Sequence, residues 1–129
     1  MEKRQTMSKI LVADDDPSVR EFCTLLLRNE GFGVVEAVDA VTCVALARQE
    51  QPDLILLDWM MPEVDGMDAL RLLKASDRTT RIPVVMLTAL DSDAQITEAT
   101  MNGAEGYVTK PFEPDDLLAL VRRFTGVVT

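Results

Sequence analysis

The sequence predicts an α/β fold built on a parallel sheet, and three features carry that expectation. Short β-branched and aliphatic runs alternate with longer amphipathic stretches five times, as successive βα units would. Several of the runs are apolar at consecutive positions, which burial on both faces of a sheet requires. The length of 129 residues suffices to bury one core and is short for two.

The first expected strand covers residues 9–13 and is followed by Asp16-Pro17, a helix cap and a first-turn proline. Val19, Phe22, Cys23 and Leu26 recur at helical spacing as a core-facing stripe, and Gly31 suits a helix stop. A second strand is expected over 33–37, with Ala40, Cys43, Val44 and Ala47 as the stripe of its helix. A third strand over 54–57 and a fourth over 84–87 follow. The helix over 92–102 has the weakest stripe, Ile96 among small residues, so it should be the most loosely packed element and part of any switching surface. A fifth strand over 106–109 leads to a helix with Leu117, Leu120, Val121 and Phe124 on one face, running almost to Thr129. The expected layout is an extension over 1–8, one domain over 9–125 and a tail over 126–129, with no effector domain.

With 47% hydrophobic and 27% charged residues the composition is that of a globular domain. A formal charge of −9 and a pI near 4.4 set the surface against phosphate backbones and anionic lipids, and no Lys/Arg run offsets them. The expectation is therefore no direct nucleic acid binding by this chain and no membrane insertion. Only eight residues precede the first apolar segment and no 18-residue apolar stretch follows, so the default compartment is the cytoplasm. Cys23 and Cys43 lie in apolar helical patterns and read as core residues. Histidine is absent, so a phosphohistidine donor must be another molecule.

In open parallel sheets, ligands bind beyond the carboxyl ends of the strands. The predicted strands end there in Asp14-Asp15-Asp16, Asp58, Thr88 and Lys110. Singly, each reads equally well as a solvated cap, a turn residue or a surface charge; together, on one rim, they make an acidic cluster with a hydroxyl and an ammonium. Ionised carboxylates 4 Å apart repel by about 4 kcal/mol per pair at an effective dielectric near 20, so a cation must sit among them or some must protonate. Hard oxygen ligands favour Mg²⁺, and no EF-hand loop is present for calcium. With a metal beside it, a carboxylate can attack phosphorus to give an aspartyl phosphate. Asp58 is the best nucleophile, standing singly after Leu-Ile-Leu-Leu, while the first-strand acids group as a metal clamp. Thr88 would donate its hydroxyl to a phosphoryl oxygen and Lys110 would pair with it as a point charge.

Four ordered stretches carry a resemblance: Ile10-Leu-Val-Ala-Asp-Asp-Asp-Pro17, Leu54-Ile-Leu-Leu-Asp-Trp-Met-Met-Pro-Glu-Val-Asp-Gly66, Pro83-Val-Val-Met-Leu-Thr-Ala89 and Gly103-Ala-Glu-Gly-Tyr-Val-Thr-Lys-Pro-Phe112. Over nearly the whole chain they resemble the receiver domains of two-component response regulators. The resemblance implies a flavodoxin-like sheet of order 2-1-3-4-5 with five helices. It further implies Asp58 as the phosphorylated residue, Asp14 and Asp15 with the Met60 backbone carbonyl as Mg²⁺ ligands, and Asp16 as a helix cap. Thr88 and Lys110 would sense the phosphoryl group, and Lys110-Pro111 would be a cis peptide. Tyr107 would be the aromatic switch, its alternative being ordinary strand burial. Trp59 and Met61 would pack locally, and apolar Met60 and Leu90 beside the site would give slow self-dephosphorylation.

Such a domain takes its phosphoryl group from a histidine kinase or a histidine phosphotransfer protein. It acts on a downstream protein or effector domain through the face of the fourth helix, fifth strand and fifth helix, as a monomer or as a dimer formed on phosphorylation. It catalyses only its own phosphorylation and dephosphorylation. A haloacid-dehalogenase-type phosphatase also fits an Asp-x-Asp pattern, but would place its nucleophile on the first strand and need a cap. A binding module that never carries phosphate would not need the intact acidic set. A flavodoxin-type cofactor binder would want a glycine-rich phosphate cradle where this chain is acidic.

Overall fold

The computed structural model describes residues 8–61, 65–89 and 92–126. Five βα units follow in order: β1 (Lys9–Ala13), α1 (Pro17–Asn29), β2 (Gly33–Ala37), α2 (Ala40–Glu50), β3 (Leu54–Asp58), α3 (Gly66–Ala75), β4 (Val84–Thr88), α4 (Asp93–Met101), β5 (Gly106–Thr109) and α5 (Pro114–Thr125). The strands form one parallel sheet of order β2-β1-β3-β4-β5, the doubly wound, flavodoxin-like topology expected. Because the order reverses between β1 and β3, their carboxyl ends lie side by side, with Ala13 opposite Leu57 in the register.

Side chains alternate across a strand, so each strand feeds two cores. Leu11, Ile55, Leu57, Val84 and Met86 pack under α2 and α3, with Cys43, Ala47, Leu70 and Leu73. Ile10, Val12, Leu54, Leu56, Val85 and Leu87 pack under α1 and α5, with Cys23, Leu27, Leu117 and Val121. Both cysteines are buried and unpaired.

Two expectations need correction, the bounds of β3 and β4 and the buried face of α1. The ladders of β3 and β4 run one residue beyond the apolar runs, to Asp58 and Thr88, both fully buried within their strands. β2 and β5 are only partly buried, because the topology leaves them as the sheet edges. On α1 the buried face is Cys23, Thr24 and Leu27. Phe22 is 39% exposed and tilts against Phe112, ring centroids 5.8 Å apart. Leu25-Leu26-Leu27 supplies an apolar residue to three successive directions, so periodicity alone could not choose the face.

Helix α4, capped by Ser92, buries only Ala99, fewer residues than any other helix. Polar contacts hold it to α3: Arg71 Nε donates to Asn102 Oδ1 at 3.1 Å and Arg71 Nη2 lies 3.5 Å from Glu98.

A fully buried β3 leucine is expected to be indispensable and an exposed α1 leucine dispensable. Leu56→Ala should cost about 2–5 kcal/mol, and Leu25→Ala no more than about 0.5 kcal/mol, in urea unfolding.

Candidate functional site

The carboxyl rim gathers groups from four strands. Asp14 follows β1; its amide continues the β2 ladder to Ala37 O at 3.2 Å and its carboxylate is buried. Asp58 closes β3 and is also buried, with the next amide, Trp59, donating to Leu87 O at 3.1 Å. Lys110 follows β5, its amide donating to Thr88 O at 2.7 Å, and the Lys110-Pro111 bond is cis. Thr88 closes β4 and is buried beside them.

Carboxylate oxygens of Asp14, Asp15 and Asp58 lie within 4.8 Å of one another. The Lys110 ammonium donates to Asp14 Oδ2 at 2.7 Å and to Asp58 Oδ1 at 3.2 Å. The Met60 amide also donates to Asp58 Oδ1, at 3.3 Å, so Oδ2 of Asp58 takes no hydrogen bond among the described residues. Three carboxylates against one ammonium leave the cluster short of two positive charges when all are ionised. That deficit and the hard oxygen donors fit a divalent cation of the Mg²⁺ kind.

Burial pushes the Asp58 carboxyl up to about 6, and the charge of Asp14 adds to the rise, while Lys110 and the Met60 amide oppose it. Burial works against the charge of Lys110, but the hydrogen bonds and charges of Asp14 and Asp58 outweigh it and hold the ammonium above its usual value. Nearby, burial and the charge of Asp14 push the Cys23 thiol up to about 12, which keeps it an unreactive core residue.

Asp14, Asp15, Asp58 and Lys110 thus come together, and Asp16 caps α1 through Ser18 N at 2.9 Å. The Met60 side chain stands 61% exposed, Trp59 is half-buried and Met61 is buried against the core. Tyr107 is 46% exposed on the edge strand, so ordinary strand burial does not describe it. Leu90 lies outside the described residues.

Two residues at the site carry no expectation from sequence. Arg20 Nη1 donates to the Asp14 carbonyl at 2.7 Å, an attachment to backbone that leaves no pattern beyond its place one turn into α1. Gly66 opens α3 with its amide on Trp59 O at 2.8 Å, and a Cβ there would fall 2.3 Å from Asp58 O and 2.7 Å from Trp59 Cα. Its signal in the sequence is its place after Asp65 at the end of the 54–66 stretch, a place to which the sequence alone attaches no role.

Among the described residues no helix is long and apolar enough to cross a membrane. A family model for the response regulator receiver domain matches residues 10–122. The DNA-binding dual master transcriptional regulator RpaA of Synechocystis is 44% identical over 116 residues, covering 90% of this chain and 48% of that protein. The DNA-binding response regulator MtrA of Mycolicibacterium smegmatis is 42% identical over 114 residues, 88% of this chain and 49% of its own. The chain thus spans about half the length of these relatives. Among solved structures, Vibrio cholerae chemotaxis protein CheY4 superposes with a TM-score of 0.88 at 30% identity, over 92% of this chain and 99% of that one. The receiver domain of sensor histidine kinase PA1611 from Pseudomonas aeruginosa, described with a magnesium ion in its active site cleft, gives 0.86 at 28% identity, over 95% and 100%.

These relatives correct the expected partner set, which excluded nucleic acid. That exclusion rests on the acidic charge of 129 residues, whereas the similar proteins bear DNA-binding names and are about twice as long. A domain's net charge governs what its own surface attracts and does not describe a longer protein's partners.

Two consequences are measurable without metal. Gly66→Ala should destabilise by about 1–3 kcal/mol or more, since backbone must move to admit the methyl group. With a folded value of about 6 against the usual 3.8, Asp58 keeps a proton between those limits that the unfolded chain releases. Its contribution to stability therefore falls as pH rises from about 4 to 6. Urea titrations in EDTA should find Asp58→Asn gaining on the wild type across that window, by up to about 3 kcal/mol at pH 7; a difference independent of pH would contradict the shift.

Proposed function

Since the chain belongs to the response regulator receiver domain family, we propose that it is the phosphoacceptor of a two-component phosphorelay, with Asp58 as the residue that takes the phosphoryl group. The observation that carries this reading is the meeting of three carboxylates within 4.8 Å under one ammonium. The functional unit is residues 9–125, with 1–8 and 126–129 outside it, working in the cytoplasm.

Asp58 presents a carboxylate oxygen to phosphorus in line with the leaving group. From a phosphohistidine on a partner kinase or phosphotransfer protein, the P–O bond to Asp58 forms as the P–N bond breaks and the electron pair leaves on the imidazole nitrogen. Asp14, Asp15, Asp58 and the Met60 carbonyl would hold Mg²⁺, which when bound neutralises charge on the transferring oxygens. Lys110 pairs with the transferred group, exchanging part of its hold on Asp58 for a phosphoryl oxygen. Thr88 donates its hydroxyl to another of those oxygens.

Tyr107, half-exposed on β5, then turns inward as Thr88 closes, which changes the α4-β5-α5 face that addresses a partner or effector. The chain catalyses only its own phosphorylation and dephosphorylation. Met60, exposed and apolar beside Asp58, offers no polar group to orient an attacking water, so the phosphorylated state should be long-lived.

The reading is tested with Mg²⁺ and acetyl phosphate, following intact mass and the fluorescence of Trp59, the sole tryptophan. Saturable metal and donor signals and the added mass of one phosphoryl group are expected, with the donor response and the mass absent in Asp58→Asn. The rate should fall at acid pH, as Asp58 gains a proton. A wild-type chain that ignores Mg²⁺ and gains no mass would overturn the proposal.

A further inference from the structure

We infer that Arg20 is a positioning residue for the acidic loop, holding the peptide between Asp14 and Asp15 so that both carboxylates face the cation site. This rests on the phosphoacceptor reading and adds to it a residue outside the acidic set.

Each part of Asp14 has a holder. Its amide is fixed on Ala37 O at 3.2 Å, Oδ1 accepts the Asp16 amide at 2.9 Å and Oδ2 accepts Lys110 at 2.7 Å. Its carbonyl is taken by Arg20 Nη1 at 2.7 Å. Asp15 differs: it is exposed, and neither its side chain nor its amide makes a hydrogen bond among the described residues. The Asp14 carbonyl and the Asp15 amide share one planar peptide unit, so whatever orients that carbonyl also sets the direction in which Asp15 leaves the strand. Arg20 is the side chain that does so.

The guanidinium is itself placed. Arg20 Nε lies 3.5 Å from Glu36 on β2, whose register partner is Val12 of β1, and the Arg20 side chain is only 16% exposed. One planar fork thus joins α1, the end of β1 and the sheet edge. A lysine ammonium has the charge without the fork and cannot hold the carbonyl and Glu36 in that fixed relation.

Charge and geometry predict opposite signs here, which makes the inference testable. If Arg20 acted only as a nearby positive charge, removing it would tighten Mg²⁺ binding by relieving repulsion of the cation. If it positions Asp15, removing it weakens binding.

Mg²⁺ titrations of the full chain by Trp59 fluorescence should find the half-saturation concentration raised about tenfold in Arg20→Ala. Arg20→Lys should recover only part of that loss, and Glu36→Gln should give a smaller rise. Arg28→Ala, two turns along the same helix with its guanidinium on Val34 O at 3.4 Å, should match wild type. In metal-free protein, amide hydrogen exchange at Asp15 and Asp16 should accelerate in Arg20→Ala while β3 amides keep their protection relative to global stability.

A folded Arg20→Ala that binds Mg²⁺ as tightly as wild type, or more tightly, overturns the inference and leaves the phosphoacceptor reading standing. Should Arg20→Ala not fold, wild-type affinity in both Arg20→Lys and Glu36→Gln overturns it equally. A wild-type chain with no Mg²⁺ response removes both.

Discussion

The constraint on which the structure turns is the repulsion among Asp14, Asp15 and Asp58. Carboxylate oxygens gathered within 4.8 Å repel by several kcal/mol in all, at about 4 kcal/mol per pair for a 4 Å separation in a protein-like dielectric. The sheet order makes this unavoidable. Placing β1 next to β3 sets the end of one against the end of the other, and both chains turn acidic there. Lys110 relieves part of the repulsion from β5, two strands beyond β3, and reaches both Asp14 and Asp58. A dry scaffold can bear the remainder: β3 and β4 are buried along their whole length, with a packed helical layer on each face. The same rigidity keeps the acids from splaying apart.

Much of this was legible because the informative residues interrupt an apolar pattern. A buried parallel strand reads as a continuous hydrophobic run, so Asp14, Asp58, Thr88 and Lys110 announce themselves as the points where four runs stop. What hid were relations carried by backbone. The ladders extend to Asp58 and Thr88 because peptide hydrogen bonding does not end where side-chain polarity begins. Arg20 acts on a carbonyl and Gly66 acts by lacking a side chain, so neither leaves a mark in hydropathy. The edge character of β2 and β5 follows from strand order, which resemblance supplied and periodicity could not.

Helix α4 is attached by a different kind of force. It rests on the sheet through Ala99, and its C-terminal end is fastened by polar contacts. Arg71 reaches Glu98 and Asn102, while Lys74 Nζ gathers Thr80 O at 3.1 Å, Ile82 O at 2.9 Å and Glu105 Oε2 at 3.0 Å. Glu105 Oε1 in turn accepts the Val84 amide at 2.8 Å, tying the turn after α4 to the start of β4. Gly103, at φ +107°, leaves room for the Lys74 stem, because a Cβ there would lie 2.8 Å from Lys74 Cγ. Partly exposed polar pairs contribute little individually. Displacing α4 therefore costs far less than separating α2 or α3 from the core, and its attachment is strongest at the end away from Thr88.

Two agents can relieve the acid repulsion, a proton or a cation, and the energetics choose between them. A carboxyl pushed up to about 6 remains mostly ionised at pH 7. Protonation of Asp58 therefore does not answer the problem under neutral conditions. A divalent ion answers it in one step, at a place where Asp58 still has an oxygen free of hydrogen bonds among the described residues. Raising the carboxyl by burial has a second effect, since a more basic, poorly solvated carboxylate is a better nucleophile once ionised. The apolar strands that bury Asp58 thus make its charge costly, and on the proposed reading a cation beside it would lower that cost where the phosphoryl group is taken.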